Sequence, residues 1–207
     1  MCGRFALNAD AATVIQNFSL TRNIVLKPRY NIAPSQVIPV IRKVGELEFL
    51  TWGLKPKWLK ADQSGFINAR METLHEKPAF RQAFKQQRCL IVADGYYEWK
   101  QIGKIKQPYF ICMPHKQLFA FAGLWDADSC AIITKPADQP ALINVHDRMP
   151  VMIAADKFYA WLDPKTEPNM LQACMLQSCA TSLQIFPVST KVNNPRNDFV
   201  ECIQPLQ

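Results

Sequence analysis

The sequence predicts an α+β fold. Its core would be a barrel-like, mostly antiparallel sheet with a few short helices around it, in one domain spanning residues 2–205. Three observations lead there. Short apolar runs recur along the chain and are cut by Gly, Pro, Asn and Asp, the pattern of short strands. Segments with a helical period are few and brief. No internal repeat, low-complexity tract or linker divides the 207 residues, a length suited to a single domain. Nearly half of the residues are apolar, enough to bury a sizeable core.

The elements follow in order. Asn8 precedes "ADAATVIQNF", which reads as a short capped helix. "KPRYNIAPSQ" (27–36) reads as an ordered loop, because it is rich in turn formers. "VIPVIR" (37–42) and "LEFLTW" (47–52) read as strands turning at Gly45. "GLKPKWLKADQSG" (53–65) is a second loop, mixing lysines with Trp58. Residues 68–88 hold a helix starting near Pro78, with Phe80 and Phe84 on one face. "CLIVADGYYEWK" (89–100) is a buried strand broken at Asp94-Gly95 and resumed through "YYEWK". "IGKI" then turns the chain into "PYFICM" as a hairpin. "LFAFAGLW", "CAIIT" and "ALINV" continue the strand series. Helices are expected over 154–162 and 167–175, and "LQIFPVS" and "FVECIQ" read as closing strands.

Composition narrows the function. The longest apolar run, "LFAFAGLW" at 118–125, is far too short to span a membrane. The first thirty residues contain Arg4, Asp10, Arg22 and Lys27, so no secretory leader is expected. The formal charge of +7 suits an anionic partner such as nucleic acid, and equally a soluble, mildly basic protein. The seven cysteines include no C-x-x-C pair and most sit among apolar neighbours, which favours a reducing, cytoplasmic compartment. The three histidines are scattered, so no metal site is expected. No Walker loop, dinucleotide fingerprint or Gly-x-Ser-x-Gly elbow is present.

Several residues could carry chemistry. Cys2 follows the initiator, and a small second residue favours removal of Met1. Its α-amine would then titrate near 7.7–8.0, leaving a useful neutral fraction at pH 7. Such an amine forms a Schiff base with an aldehyde, and the neighbouring thiol can close on the imine carbon as a thiazolidine. Equally, Cys2 could simply pack in a buried first strand. Gly3 leaves room for backbone to approach a sugar. In "INARMET" (67–73), Asn68 offers donors and an acceptor, and Arg70 a fork suited to phosphate; a cap and a solvated arginine are the plain alternatives. In "DGYYEWK", alternation puts Tyr97 and Trp99 on the face opposite Glu98. A carboxylate against an apolar wall can have a raised pKa and so handle protons near neutrality, unless it pairs with Lys100 or an arginine. In "VHDRMP", His146 could shuttle protons, whereas His75 and His115 lie in polar stretches.

Taken together, "MCGRF", "RYNIAPSQ", "WGLKPKW", "INARMET", "RCLIVADGYYEW", "QPYF", "FAGLW", "IIT", "VHDRMP" and "VSTKVNN" occur in an order that resembles the SRAP (SOS response-associated peptidase) family over essentially the whole chain. The resemblance implies an SRAP-type domain that binds abasic sites in single-stranded DNA and becomes covalently attached through Cys2. It implies catalytic roles for Cys2, Asn68, Glu98 and His146, phosphate contacts for Arg4 and Arg70, and a wedge at Trp58. Asn31, Pro34, Trp52 and Thr134 fall in the matching segments, Leu59 directly follows one of them, and all five would line the DNA path. Some members carry two adjacent aromatics at the wedge, where this chain has Trp58 followed by Leu59; an apolar leucine can also wedge between bases. The implied protein is a cytoplasmic monomer, nucleoid-associated if bacterial, that needs no cofactor or membrane. Weak lyase and self-processing peptidase activity would accompany the crosslink. Two other classes stay open: an N-terminal-nucleophile amidohydrolase using Cys2, and a non-covalent single-strand binder using the lysines, Trp52 and Trp58.

Overall fold

A long apolar stretch is cut in two at Asp94, and the fold is organised around that cut. A computed structural model describes residues 2–60, 62–177 and 183–206. The first half of the chain runs through β1 (Phe5–Leu7), α1 (Ala11–Asn17), β2 (Arg29–Ile32), β3 (Val37–Lys43), β4 (Glu46–Trp52), β5 (Asn68–Arg70), α2 (Arg81–Gln86) and β6 (Arg88–Ala93). It continues through β7 (Gly95–Ile102), β8 (Ile105–Cys112), β9 (Phe119–Asp126), β10 (Ser129–Pro136), α3 (Pro140–Ile143), β11 (Arg148–Pro150), β12 (Met152–Ile153), α4 (Phe158–Leu162), α5 (Pro168–Leu176) and β13 (Gln184–Pro187).

Two sheets result. The first is antiparallel throughout, in the order β13-β8-β7-β1-β2. The second runs β11-β10-β4-β3-β6-β9-β12, and an additional β9–β10 pairing closes its middle into a ring. Within it, β4 and β5 both pair parallel to β10. This is the barrel-like, mostly antiparallel core expected from the sequence. Phe5, at the start of β1, packs edge-on against Trp52 and Phe121 at 5.2 and 5.8 Å between ring centroids. A smaller core lies on the other face of the first sheet, around Ala6, Tyr97, Phe110, Val188, Val192 and Cys202. Period-two alternation explains the split: Tyr96 faces the main core and Tyr97 the smaller one.

Four local readings change. α1 is capped by Asp10, whose carboxylate accepts from Thr13 N at 2.7 Å, so Asn8 is not the cap. The 27–36 loop contains β2. Its turn-forming composition misleads because the Asp198 carboxylate, rather than a further strand, accepts from Tyr30 N and Asn31 N. "ALINV" is the helix α3, with Pro140 in its first turn where a missing N–H costs nothing. "FVECIQ" forms a 3₁₀ turn, Val200–Ile203, that buries Cys202; a short apolar run does not distinguish the two by periodicity. The α2 helix itself starts at Arg81, with turns from Pro78 onward.

Loop 53–65 is tied at its neck. Leu54 and Phe66 exchange two backbone hydrogen bonds of 2.9 Å. Just below, Gly53 and Gly65 cross so closely that a Cβ on residue 65 would fall 2.2 Å from the Gly53 carbonyl oxygen. Gly53 itself has φ +144°, a conformation open to glycine. The loop therefore projects as a closed unit, with Lys55, Lys57, Trp58 and Lys60 exposed.

Candidate active site

Cys2 is placed by its strand. Tyr97 N donates to Arg4 O, and Phe5 and Ala6 pair with Tyr96 and Gly95. These bonds lay the N-terminal segment along β7, toward Glu98. Cys2 is fully buried, like the other described cysteines, which are all free; Cys179 lies outside the described residues. Burial pushes the Cys2 thiol well above its ordinary pKa, and the negative charge of Glu98 adds to the effect.

Asn68 comes from β5. Its Nδ2 donates to the Cys2 carbonyl at 2.8 Å. Parallel pairing with β10 sets its position, since Ile132 N donates to Ile67 O, and Trp52 Nε1 donates to the same carbonyl at 2.9 Å. Glu98 is only 2 % exposed. Desolvation raises its carboxyl to about 7, so a substantial share is protonated at neutrality. His146 follows α3 and puts Nε2 3.9 Å from Glu98 Oε2. Its Nδ1 accepts from Arg148 N at 3.0 Å, which leaves the proton of the neutral ring on Nε2, facing Glu98. Desolvation lowers the His146 pKa, favouring that neutral ring. The exposed Asp147 carboxylate lies 2.9 Å from Nδ1, a contact that becomes a hydrogen bond only in the imidazolium. Glu98 and His146 open into a cleft of about 440 Å³, whose far side is Trp99, Lys106 and Asn193.

The structure thus brings Cys2, Asn68, Glu98 and His146 together from four separate stretches of chain. The other expected residues divide by burial. Trp58 and Arg70 are exposed, and Leu59 and Pro34 half-buried. Trp58 leans on Phe66 at 6.3 Å, which stacks edge-on against Phe80 at 5.5 Å. Trp52, Asn31 and Thr134 have no exposed surface, so their part is bracing rather than lining a DNA path. Thr134 receives Arg148, whose guanidinium also grips Glu72 with two bonds of 2.6 and 3.0 Å. The Asn31 amide donates to the carbonyls of Val192, Asn194 and Asn197 at 3.1, 3.1 and 2.6 Å. Arg4, half-buried, donates to Asn31 Oδ1 and to Val192 O, both at 2.7 Å. Together they pin the "VSTKVNN" segment to the N-terminal strand. That segment delivers Asn193, whose Oδ1 accepts from Trp99 Nε1 at 2.8 Å.

Sequence reasoning did not find Asn193, Lys106 or Tyr96 as members of the site. The signal for Tyr96 was available, since alternation puts it on the same face of β7 as Glu98.

Comparison with known proteins agrees with this architecture. The model of the SOS response associated peptidase (SRAP) family matches residues 1–195. The chain is 40% identical to abasic site processing protein YoaM of Bacillus subtilis, covering 98% of this chain and 97% of that one. It is 30% identical to abasic site processing protein YedK of Escherichia coli over the full length of both. The same identity holds with abasic site processing protein HMCES of Gallus gallus, covering all of this chain and 78% of the relative. A crystal structure of a protein from Bacteroides thetaiotaomicron shares the fold, with a TM-score of 0.85, 21% identity and full coverage of both chains. A phage-related protein from Bordetella bronchiseptica aligns with a TM-score of 0.74 at 29% identity, covering 90% of this chain and 94% of that one. The chain belongs to the SOS response associated peptidase family.

Proposed function

We propose that this protein captures abasic sites in single-stranded DNA by covalent attachment to Cys2 and shields them. The observation that supports this reading most is the meeting of Cys2 and Asn68 with Glu98 and His146, the last two of which line a cleft, in a chain whose relatives are named for processing abasic sites.

The chemistry follows from the residues. An abasic deoxyribose is mostly ring-closed, and its aldehyde appears only on opening. His146 assists that opening by proton transfer. The α-amine of Cys2, freed by loss of Met1, adds to the aldehyde carbon to give a carbinolamine. Protonated Glu98 donates to the departing hydroxyl, water leaves, and an imine forms. The thiol then adds to the imine carbon. A C–S bond forms, the C=N electron pair goes to nitrogen, and the thiol proton ends on nitrogen, closing the thiazolidine. Asn68 holds the Cys2 carbonyl throughout.

The raised thiol pKa argues for this order. A buried, protonated thiol is a poor first nucleophile, so an amidohydrolase that begins with thiolate attack fits the site less well. Peptidase activity would then be confined to removal of Met1. Affinity would come from the exposed cations, Arg70 among them, and from half-buried Arg4, because an abasic site has no base to read. Trp58 and Leu59 would wedge against the flanking stack. On this reading the protein acts as a cytoplasmic monomer without a cofactor.

The test is incubation with single-stranded DNA carrying one abasic site. A heat-stable shifted band is expected with the wild type and none with intact DNA. Cys2→Ala should remove the stable band. Because its α-amine remains, strand cleavage by β-elimination from the trapped imine should rise. A stable adduct persisting in Cys2→Ala, or in protein with an extra residue before Cys2, would overturn the thiazolidine. Salt-sensitive retention of intact and abasic DNA alike would indicate plain binding. Ammonia released from glutamine would support the amidohydrolase.

A further inference from the structure

Tyr96 is fully buried, and its hydroxyl has no hydrogen-bond partner among the described residues. A buried hydroxyl without a partner costs stability, and a phenylalanine in its place would avoid that cost. Its surroundings place it near the reacting groups, since the charges that act on its hydroxyl include those of Cys2 and Glu98. It lies on the same face of β7 as Glu98, pairs in register with Phe5, three residues from Cys2, and belongs to the core cluster that contains Cys2. The ring is fixed by Phe121, edge-on at 6.0 Å between centroids. A second buried atom in the same site, Asn68 Oδ1, also has no partner among the described residues, while Asn68 Nδ2 holds Cys2. The site therefore presents one donor and one acceptor that the fold itself leaves unused.

We infer that the Tyr96 hydroxyl is a catalytic donor for ring closure: it hydrogen-bonds the Cys2 sulfur as that atom gives up its proton and attacks the imine carbon. The inference rests on the covalent reading above. Burial and the nearby Glu98 oppose a negative sulfur, so an O–H that turns to the sulfur during the reaction offsets the step that the site otherwise makes hardest. The proton balance is closed. Ionised Glu98, formed when it protonates the departing hydroxyl, takes the thiol proton and returns it to the imine-derived nitrogen. Tyr96 keeps its own proton throughout, as its own desolvation and the charges nearby require.

The test is Tyr96→Phe, assayed with abasic single-stranded DNA in the presence and absence of borohydride. Imine formation should proceed at the wild-type rate. Ring closure should slow about tenfold or more, the worth of one hydrogen bond to a charged group. The borohydride-trapped imine and the strand-cleaved product should rise correspondingly. Melting temperature should stay level or increase. In a Cys2→Ala background, Tyr96→Phe should change neither imine formation nor cleavage. An unchanged partition between imine and thiazolidine would overturn the inference. So would a melting temperature several degrees lower or a failure to fold, since the hydroxyl would then serve the fold. Absence of any adduct in the wild type would instead strike the covalent reading beneath it.

Discussion

Glu98→Gln is expected to slow adduct formation by about two to four orders of magnitude, the usual worth of a positioned general acid. It should also change the shape of the pH profile. On the proposed mechanism, Glu98 must be protonated and the Cys2 amine neutral at once. The carboxyl titrates at about 7, and a free α-amine at about 7.7–8.0. The competent form is then a minor species with a maximum between these values, so the rate should peak near pH 7.4 or so and fall on either side. Glutamine cannot ionise. The variant's rate should rise through the amine pKa and level off, without the alkaline decline. Rates of appearance of the heat-stable band from pH 5.5 to 9 decide the matter. An alkaline decline that survives in the variant would show that another group supplies the proton.

The same substitution should act on stability in the opposite direction. A carboxyl whose folded pKa lies above its unfolded value lends full stability below the unfolded pKa and loses it as pH rises through the folded one. At pH 8, Glu98→Gln should therefore melt higher than the wild type while reacting more slowly.

Arg88→Met is expected to produce the largest loss of stability. Arg88 is 2 % exposed, and although the charge of Asp163 acts on it, carbonyls hold it. Its five donors meet four backbone carbonyls instead: Phe84 and Lys85 in the last turn of α2, and Trp161 and Asp163 at the end of α4, at 2.6 to 2.8 Å. Helix C-termini carry unpaired carbonyls and partial negative charge, so the guanidinium caps two helices at once. Methionine fills much of the volume but leaves those carbonyls buried and unmet. The cost should be about 3–5 kcal/mol, a drop in melting temperature of roughly 10 °C for a chain of this size. Crosslinking at low temperature should be nearly unchanged, because Arg88 touches none of the reacting groups. A variant melting within about 2 °C of the wild type would show that water replaces the guanidinium at those carbonyls.

The sequence conveyed the strands better than the site. Apolar runs such as 89–93 and 118–125 are long enough to declare themselves, and the cut at Asp94-Gly95 falls where the chain passes from one sheet to the other. Glu98 could be singled out because alternation separates it from Tyr97 and Trp99. What could not be read was which residues face each other across the fold. The Arg4 guanidinium suggests phosphate, but nothing nearby in the sequence shows that it also donates to Val192 O and Asn31 Oδ1. Trp52 looks like a stacking platform until its indole N–H is found on Ile67 O, fixing the residue before Asn68. Thr134 is one end of an Arg148 clamp. Each of these roles depends on a partner far away in sequence, and composition carries no record of that partner.

The clamp that Asn31 and Arg4 place on Val192 joins residues 161 and 188 positions apart. It therefore sets a schedule for synthesis. One wall of the cleft exists only after the ribosome has passed residue 193, roughly 10–40 s after residue 1 at ordinary elongation rates. If Met1 is lost early in that interval, the Cys2 amine and thiol are exposed to every small aldehyde in the cell without the shelter of their site. Ribosome-bound chains stopped before residue 190 should then be modified by such aldehydes faster than the finished protein, and equal rates would show that the N-terminal strand shelters Cys2 by itself. Faster modification would make selectivity for DNA a property that the chain acquires only once the 188–194 segment has been made and docked.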